Sequence, residues 1–335
     1  MDTSSLYFIV PVILIALAFD FTNGMHDAAN SISTIVSTRV LSPRQAVIWA
    51  AFFNFIAFLI FGTGVATTIG KGMIDIEVVT PVVILAGLIG AISWNMITWY
   101  FGLPSSSSHA LIGGYAGAAI AKSGMSVIIA AGWTKTLSFI IIAPLIGIIL
   151  GFILKIIASW SLRRANPTDI NKWSKIGQLF SAAAFSLGHG GNDAQKTMGI
   201  ITSLLFAGGL ISEFHVPLWV VLAAHGAIAL GTITGGWRIV KTMGQKITKL
   251  RPIDGMCAEI SAAASIFTST HLGIPVSTTH VITGAISGVG AANRISAVRW
   301  GITLRIVWAW IFTIPGSAAI AGAIYLFLKF AFNLA

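Results

Sequence analysis

Six stretches of this chain are too long and too apolar for a water-soluble core: Leu6–Phe19, Gln45–Gly70, Val78–Gly102, Thr136–Trp160, Val216–Trp237 and Trp300–Leu328. Each approaches or exceeds the roughly 20 residues a helix needs to cross hydrocarbon. Helices made from them would be greasy on every face, a pattern that is stable only when no face meets water. Composition agrees, with 56% hydrophobic and 9% charged residues, against about 25% charged in soluble domains. The sequence therefore predicts an all-α polytopic membrane protein. Met1–Ser5 carries no basic residue and no small-residue cleavage site follows, so Leu6–Phe19 reads as the first membrane helix and not as a cleaved leader. The single cysteine, Cys257, excludes an internal disulfide and a thiolate metal cluster and reads as a packing residue.

Two pairs of segments repeat. Phe19–Asn30 aligns without gaps on Phe185–Lys196 at an offset of 166, matching Phe19, Gly24, Asp27 and Ala28 to Phe185, Gly190, Asp193 and Ala194. Gly102-Leu-Pro-Ser-Ser-Ser-Ser-His109 matches Gly273-Ile-Pro-Val-Ser-Thr-Thr-His280 at an offset of 171. Two motifs in one order at nearly one offset indicate an internal duplication. The implied organisation is a first membrane repeat over 1–162, a linker over 163–175 and a second repeat over 176–335.

The net charge of +10 would suggest a nucleic-acid partner in a soluble protein. Here it reads as a topology signal, and no nucleic acid is expected. Of 20 basic residues, 13 fall in the loops Arg39–Arg44, Arg163–Lys175, Arg238–Arg251 and Arg294–Arg299. Placing these loops inside follows the positive-inside bias and puts the N-terminus outside and the linker in the cytoplasm. Corresponding loops of the two halves then lie on opposite sides: Asp75 and Glu77 outside, the basic Arg238–Arg251 segment inside. That is the pattern of an inverted-topology repeat. The tryptophans read as interface anchors.

The Gly-x-Pro breaks interrupt apolar runs and precede hydroxyl residues, the composition of a helix start. Helices of about 15 residues are predicted over Ser107–Ala121 and Thr278–Ala292, each the second leg of a re-entrant helical hairpin with its tip near mid-membrane. Irregular backbone at that depth requires a protein-lined cavity. Two facing tips with free amides and hydroxyls suit an oxyanion. Ser105, Ser106, Ser107, Ser108, Ser277, Thr278 and Thr279, with Asn30, are the candidate anion ligands. Capping of buried helices is the plainer role for the same hydroxyls.

Asp20, Asp27, Asp193 and Glu259 lie in apolar surroundings, where an unpaired carboxylate costs several kcal/mol. With Asn23 and Asn192 they are the candidate cation or proton ligands; pairing with Lys196 is the structural alternative for one acid. Gly24 and Gly188, Gly190 and Gly191 mark expected helix breaks whose freed carbonyls complete a cation site. An anion beside carboxylates needs cations to relieve the repulsion, so cation-coupled anion passage is favoured over a channel. His26, His109, His189 and His280 are expected to hydrogen-bond, with proton coupling second and zinc disfavoured. Asn54, Asn95, Gln178 and His225 are expected to bond between helices. An enzyme with Ser107–His109 or Ser277–His280 as nucleophile and base is disfavoured for want of an orienting acid nearby in sequence.

Gly24-Met-His-Asp-Ala-Ala-Asn-Ser31 and Gly190-Gly-Asn-Asp-Ala194 resemble the duplicated signature of the inorganic phosphate transporter family, solute carrier family 20. Pro104–His109 and Pro275–His280 look like its paired hairpin tips. The resemblance spans the chain in motif order. It implies phosphate uptake coupled to Na⁺ or H⁺ in the bacterial inner (plasma) membrane, with Asp27 and Asp193 as signature acids and Glu259 as a further acid of the second half. It implies inorganic phosphate, a monovalent cation and the lipid bilayer as partners, and no cofactor or metal beyond the coupling cation. A homodimer is one assembly open to it. Sulfate or another tetrahedral oxyanion is the alternative cargo. Three departures stand out: His26 for Asn, Gln195-Lys196 for Ala-Asn, and Asn54 where some members carry Glu. The long central hydrophilic loop of larger members is absent.

Overall fold

The computed structural model describes residues 6–334; residue 335 and residues 1–5, with the N-terminus expected outside, are not among the described residues. The described chain is an all-α membrane protein without β-strands. Its first six helices are α1 (Leu6–Ser37), α2 (Pro43–Ile56), α3 (Gly64–Lys71), α4 (Pro81–Phe101), α5 (Ser107–Ser123) and α6 (Ala130–Ser161). The next six are α7 (Pro167–Ala207), α8 (Leu218–Thr234), α9 (Trp237–Lys241), α10 (Pro252–His271), α11 (Thr278–Asn293) and α12 (Trp300–Phe332). Element order thus recurs: long helix, bent pair, two legs of a hairpin, long helix. Residues 163–175, expected as linker, are irregular only as far as Asn166, beyond which they form the first turns of α7.

α1, α4, α6 and α12 are each long and apolar enough to span a bilayer. Two of the expected apolar runs are instead broken. α2, with a short 3₁₀ extension, bends 85° into α3, and α8 bends 62° into α9, which continues as a π-helical turn. Gly235, at φ +68°, and Gly236 separate α8 from α9. Each break exposes backbone groups that hydrocarbon cannot satisfy. At α3 the Gln195 side-chain oxygen of α7 accepts from the Val65 and Ala66 amides, at 2.9 and 3.3 Å.

The hairpins fold back on themselves as expected. Asp75 N donates to Val127 O at 2.9 Å, so the segment entering α4 lies beside the one leaving α5. Arg299 N donates to Ile247 O at 2.9 Å and closes the α10–α11 hairpin in the same way. Gly102 and Gly273 turn the tips at φ +64°, a conformation that disfavours any side chain. Ser106 Oγ and Ser277 Oγ then cap α5 and α11 by accepting from His109 N and His280 N. Both helices start where predicted and run one or two residues further. The short helices hold the tips of the opposite hairpins: Thr68 Oγ1 donates to Gly273 O at 2.7 Å and Thr242 Oγ1 to Gly102 O at 3.0 Å.

The halves are interleaved. α6 packs on α11 and α12 on α5, each gripping the other half's hairpin. A Cβ on Gly113 or Gly117 would meet carbonyl oxygens of α12, and one on Gly284 or Gly288 would meet those of α6, all within 2.6 Å. Such close small-residue crossings are how helices gain packing energy without a hydrophobic driving force.

The expected helix breaks at Gly24 and at Gly188, Gly190 and Gly191 are absent, for α1 and α7 run straight through them. These glycines serve close approach instead. A Cβ on Gly24 would lie 2.1 Å from Ile228 O of α8, and one on Gly190 2.4 Å from Asn54 O of α2. Gly24→Ala is accordingly expected to destabilise the protein by about 1–3 kcal/mol through overpacking. Gly226, with nothing within 4 Å of its Cβ position, should gain roughly 0.5–1 kcal/mol on the same change through helix propensity. Thermal unfolding in detergent measures both; equal effects would remove close packing as the role of Gly24.

Candidate functional site

The two hairpin tips meet at the centre of the molecule, against α1 and α7. The His109 and His280 rings touch edge-on, with centroids 4.7 Å apart. His280 stacks on Trp310 at 3.7 Å, and the Trp310 indole donates to Pro104 O of the opposite tip at 3.0 Å. Every candidate hydroxyl is at most 4% exposed, so the tips are closed to both faces of the protein.

Around the tips the hydrogen bonds come in matched pairs. Ser107 Oγ donates to Asp27 Oδ1 and Thr278 Oγ1 donates to Asp193 Oδ2, both at 3.2 Å. Asn30 Nδ2 donates to Thr279 Oγ1 at 2.9 Å, and more weakly to Thr278 Oγ1 at 3.3 Å. In the counterpart bond Lys196 Nζ donates to Ser108 Oγ at 2.5 Å. The third pair is less strict. His26 Nε2 lies 3.1 Å from Thr98 Oγ1 and 3.3 Å from Ser105 Oγ, while Asn192 donates to Thr270 Oγ1 and accepts from Val276 N. The duplication thus places equivalent side chains at equivalent bonds across the two halves.

Four acids were singled out, and they have three kinds of surroundings. Asp27 and Asp193, from opposite halves, converge with His189: one ligand atom of each lies within 4.8 Å of the other two. Asp27 also lies 2.7 Å from His26 Nδ1, and Asp193 2.5 Å from Lys196 Nζ, the pairing foreseen as the structural alternative. Asp20 is fully buried, and neither of its carboxylate oxygens meets a well-aligned hydrogen-bond partner, although Asn23 and Thr197 lie within reach of it. Asn23, Thr197, Asp193 and Lys196 surround it. The Asn23 side-chain oxygen is likewise unpartnered, so α1 presents a set of buried oxygen donors. Glu259 stands apart. It accepts from Thr34 and Ser181 at 2.5 Å and from Gln178 at 3.0 Å, all neutral donors.

His189 was expected to hydrogen-bond, with proton coupling second, and it faces the two signature acids. Asn54 gives its amide to Thr232 at 3.0 Å, so its oxygen faces His189 Nδ1, 3.2 Å away, and that nitrogen carries the proton. Nε2 then meets Asp193 Oδ2 at 3.2 Å. As a lone pair, Nε2 can face the carboxylate only with a proton or a cation between them; as an N–H it can donate to it. The i,i+4 spacing of His189 and Asp193 carried this signal, since it sets both on one face of a helix. Thr98, Thr197 and the Val276 carbonyl also join the site; Val276 lies in the second tip motif, whereas nothing in their local sequence marks Thr98 and Thr197.

Comparison with known proteins bears on the whole chain. Residues 23–321 match the profile of the phosphate transporter family. A probable low-affinity inorganic phosphate transporter of Rhizobium meliloti is 59% identical over 318 residues, covering 95% of each chain. A protein of the same description from Bacillus subtilis is 47% identical over 324 residues, covering 96% of this chain and 97% of that one. One solved structure, described as the sodium-dependent phosphate transporter, superposes with a TM-score of 0.90 at 24% identity, covering 97% of this chain and all of the other. At that identity the likeness speaks for the fold. The matched family is one of transporters and not of enzymes, and this chain belongs to it.

Proposed function

We propose that this protein is a cation-coupled inorganic phosphate symporter of the plasma membrane, working by alternating access. The observation that carries this reading is the pairing of two hydroxyl-rich tips, one from each half, over a buried cluster of acids. Tetrahedral phosphate presents oxygens in several directions, and donors arriving from two opposed tips suit that shape. The first-turn amides of α5 and α11 and the positive ends of both helices add to the attraction. Ser106 and Ser277 cap their helices by accepting and keep an O–H to donate, so the anion ligands are the hydroxyls of Ser105, Ser106, Ser107, Ser108, Ser277, Thr278 and Thr279, with Asn30.

The cations have two places. One is the Asp27–His189–Asp193 cluster, where Asn192 orients the backbone of the second tip. The other is around Asp20 and Asn23. Buried carboxylates that meet from two halves, or that are as loosely answered as Asp20, suit a Na⁺ ion or a proton, and a cation there offsets the repulsion between carboxylate and phosphate. Glu259, answered by three neutral donors, is the residue best placed to hold a proton rather than a metal ion. Phosphate retains a proton near neutral pH and can donate it to a carboxylate. Sulfate cannot, which favours phosphate over the other tetrahedral oxyanions.

The same reading assigns each half, 1–162 and 176–335, three crossings and one hairpin that returns to its own side. An odd number of crossings inverts the second half relative to the first. The basic loops then fall in the cytoplasm, with the linker at 163–175 among them. A site closed to both faces is the occluded intermediate such a cycle requires.

Two experiments test the proposal. In proteoliposomes, radiolabelled phosphate should accumulate under an imposed Na⁺ or proton gradient, and arsenate should compete better than sulfate. Asp27→Asn and Asp193→Asn should each lower uptake by roughly a hundredfold or more, the scale of removing one partner of a buried charge network. Absence of uptake under both gradients in a folded preparation defeats the proposal. Topology is read separately in a Cys257→Ser background. An impermeant thiol reagent applied from outside whole cells should label a cysteine at Ser126 and spare one at Arg164; labelling of both from one side would rule out inverted halves.

A further inference from the structure

The duplication pairs Asn30 with Lys196, at the offset of 166 that also pairs Asp27 with Asp193. Both side chains make the same bond, each to the second hydroxyl of a helix-opening pair: Asn30 to Thr279 and Lys196 to Ser108. One of the two positions is neutral and the other carries a full charge. The fold needs only the hydrogen bond there, because Asn30 makes it without charge. The ammonium therefore adds something that the scaffold does not require.

Its surroundings indicate what. Lys196 is 1% exposed. Its Nζ donates to Asp193 Oδ1 at 2.5 Å, to Ser108 Oγ at 2.5 Å and to Val276 O at 2.8 Å. A carboxylate, a hydroxyl and a backbone carbonyl are the oxygen types that hard cations bind. The donors also come from three places: α7, the first tip and the second tip. No other side chain described here touches both tips and an acid.

We infer that Lys196 is a tethered cation: it fills the oxygen cage at the junction of the two tips in place of a mobile coupling ion, and it supplies a fixed positive charge to the bound oxyanion. The inference rests on the proposed phosphate site. It assigns to Lys196 a role in both substrate binding and ion stoichiometry. A mobile ion must arrive and leave in every cycle, whereas an ammonium on a flexible four-carbon stem can follow either tip as they separate. The junction then needs one free cation fewer than the same cage would without the lysine.

Lys196→Asn restores the side chain of the paired half and empties the cage. Phosphate uptake into proteoliposomes, with choline as the replacement cation, is expected to fall by roughly a hundredfold, as for loss of one partner of a buried charge pair. Added sodium should recover it, with a steeper sodium dependence than the unsubstituted protein shows. Lys196→Arg keeps the charge and should acquire no sodium requirement beyond the original one; it carries the test if Lys196→Asn does not fold. Three results would overturn the inference: uptake by Lys196→Asn with unchanged rate and sodium dependence, uptake lost by folded Lys196→Asn and recovered by no alkali cation, or a new sodium requirement in Lys196→Arg. Absence of phosphate uptake by the unsubstituted protein would instead defeat the functional reading, which keeps the two failures distinct.

Discussion

Charge placed in hydrocarbon must be answered from within the protein, and the architecture follows from that demand. Asp20, Asp27, Asp193, Lys196 and Glu259 are all buried and lie within α1, α7 and α10, away from the helix ends. Two unit charges 4 Å apart interact by about 4 kcal/mol at an effective dielectric of 20, so the arrangement of these groups outweighs most single packing contacts. α7 bears two of them, Asp193 and Lys196, with the partners His189, Gln178 and Ser181, and is the most polar of the long helices. It can cross a membrane only because α1, α2, α3, α8 and α10 enclose it. The glycines that permit those close crossings therefore belong to the electrostatic problem: they keep lipid and water away from the carboxylates.

The pairing of side chains across the halves gives the site its form, and the departures from that pairing give it polarity. Asp27 and Asp193, Ser107 and Thr278, and Ser108 and Thr279 are equivalents with equivalent bonds. Asn23, His26 and Asn30 are matched instead by His189, Asn192 and Lys196. Two carboxylates and one ammonium leave the ring of direct tip contacts one negative charge in excess, before either histidine is counted. Asp20 adds another nearby. A phosphate anion entering such a site meets repulsion of several kcal/mol unless cations enter with it. In the proposed reading, coupling follows from this charge balance and does not depend on any single gate.

The fold class was legible because hydropathy reports lipid contact. Runs such as Thr136–Trp160 and Trp300–Leu328 face lipid, and they became α6 and α12. The tips were legible because Gly-x-Pro-x-Ser writes a left-handed turn, a helix start and a cap into one short segment. α7 was not legible as a membrane helix, since its stretch Phe185–Leu205 is enclosed by other helices and has no reason to be apolar. The glycines beside the acids were misread for a related reason. Gly24 and Gly190 look like breaks in isolation, and only their neighbours, Ile228 and Asn54, make them contact points. Thr98 and Thr197 reached the site through tertiary packing alone, so no local pattern marked them.

The exchange of helices between halves also constrains how the site could open. α12 grips α5 through contacts at Gly113 and Gly117 too close to admit even a methyl group, and α6 grips α11 in the same way. Interfaces packed this tightly shift as units, because sliding them would force backbone oxygens into collision. The bodies able to move past one another are therefore the first hairpin with α12 and the second hairpin with α6, and these differ from the two halves as they run in sequence. Such a motion separates the tips while each stays on its own clasp. The contact it must break between the bodies is that of His109 with His280, and Lys196, on α7 outside both bodies, can keep only one of Ser108 and Val276. The Trp310 bond to Pro104 stays within the first body, whereas the stack of Trp310 on His280 crosses between the two.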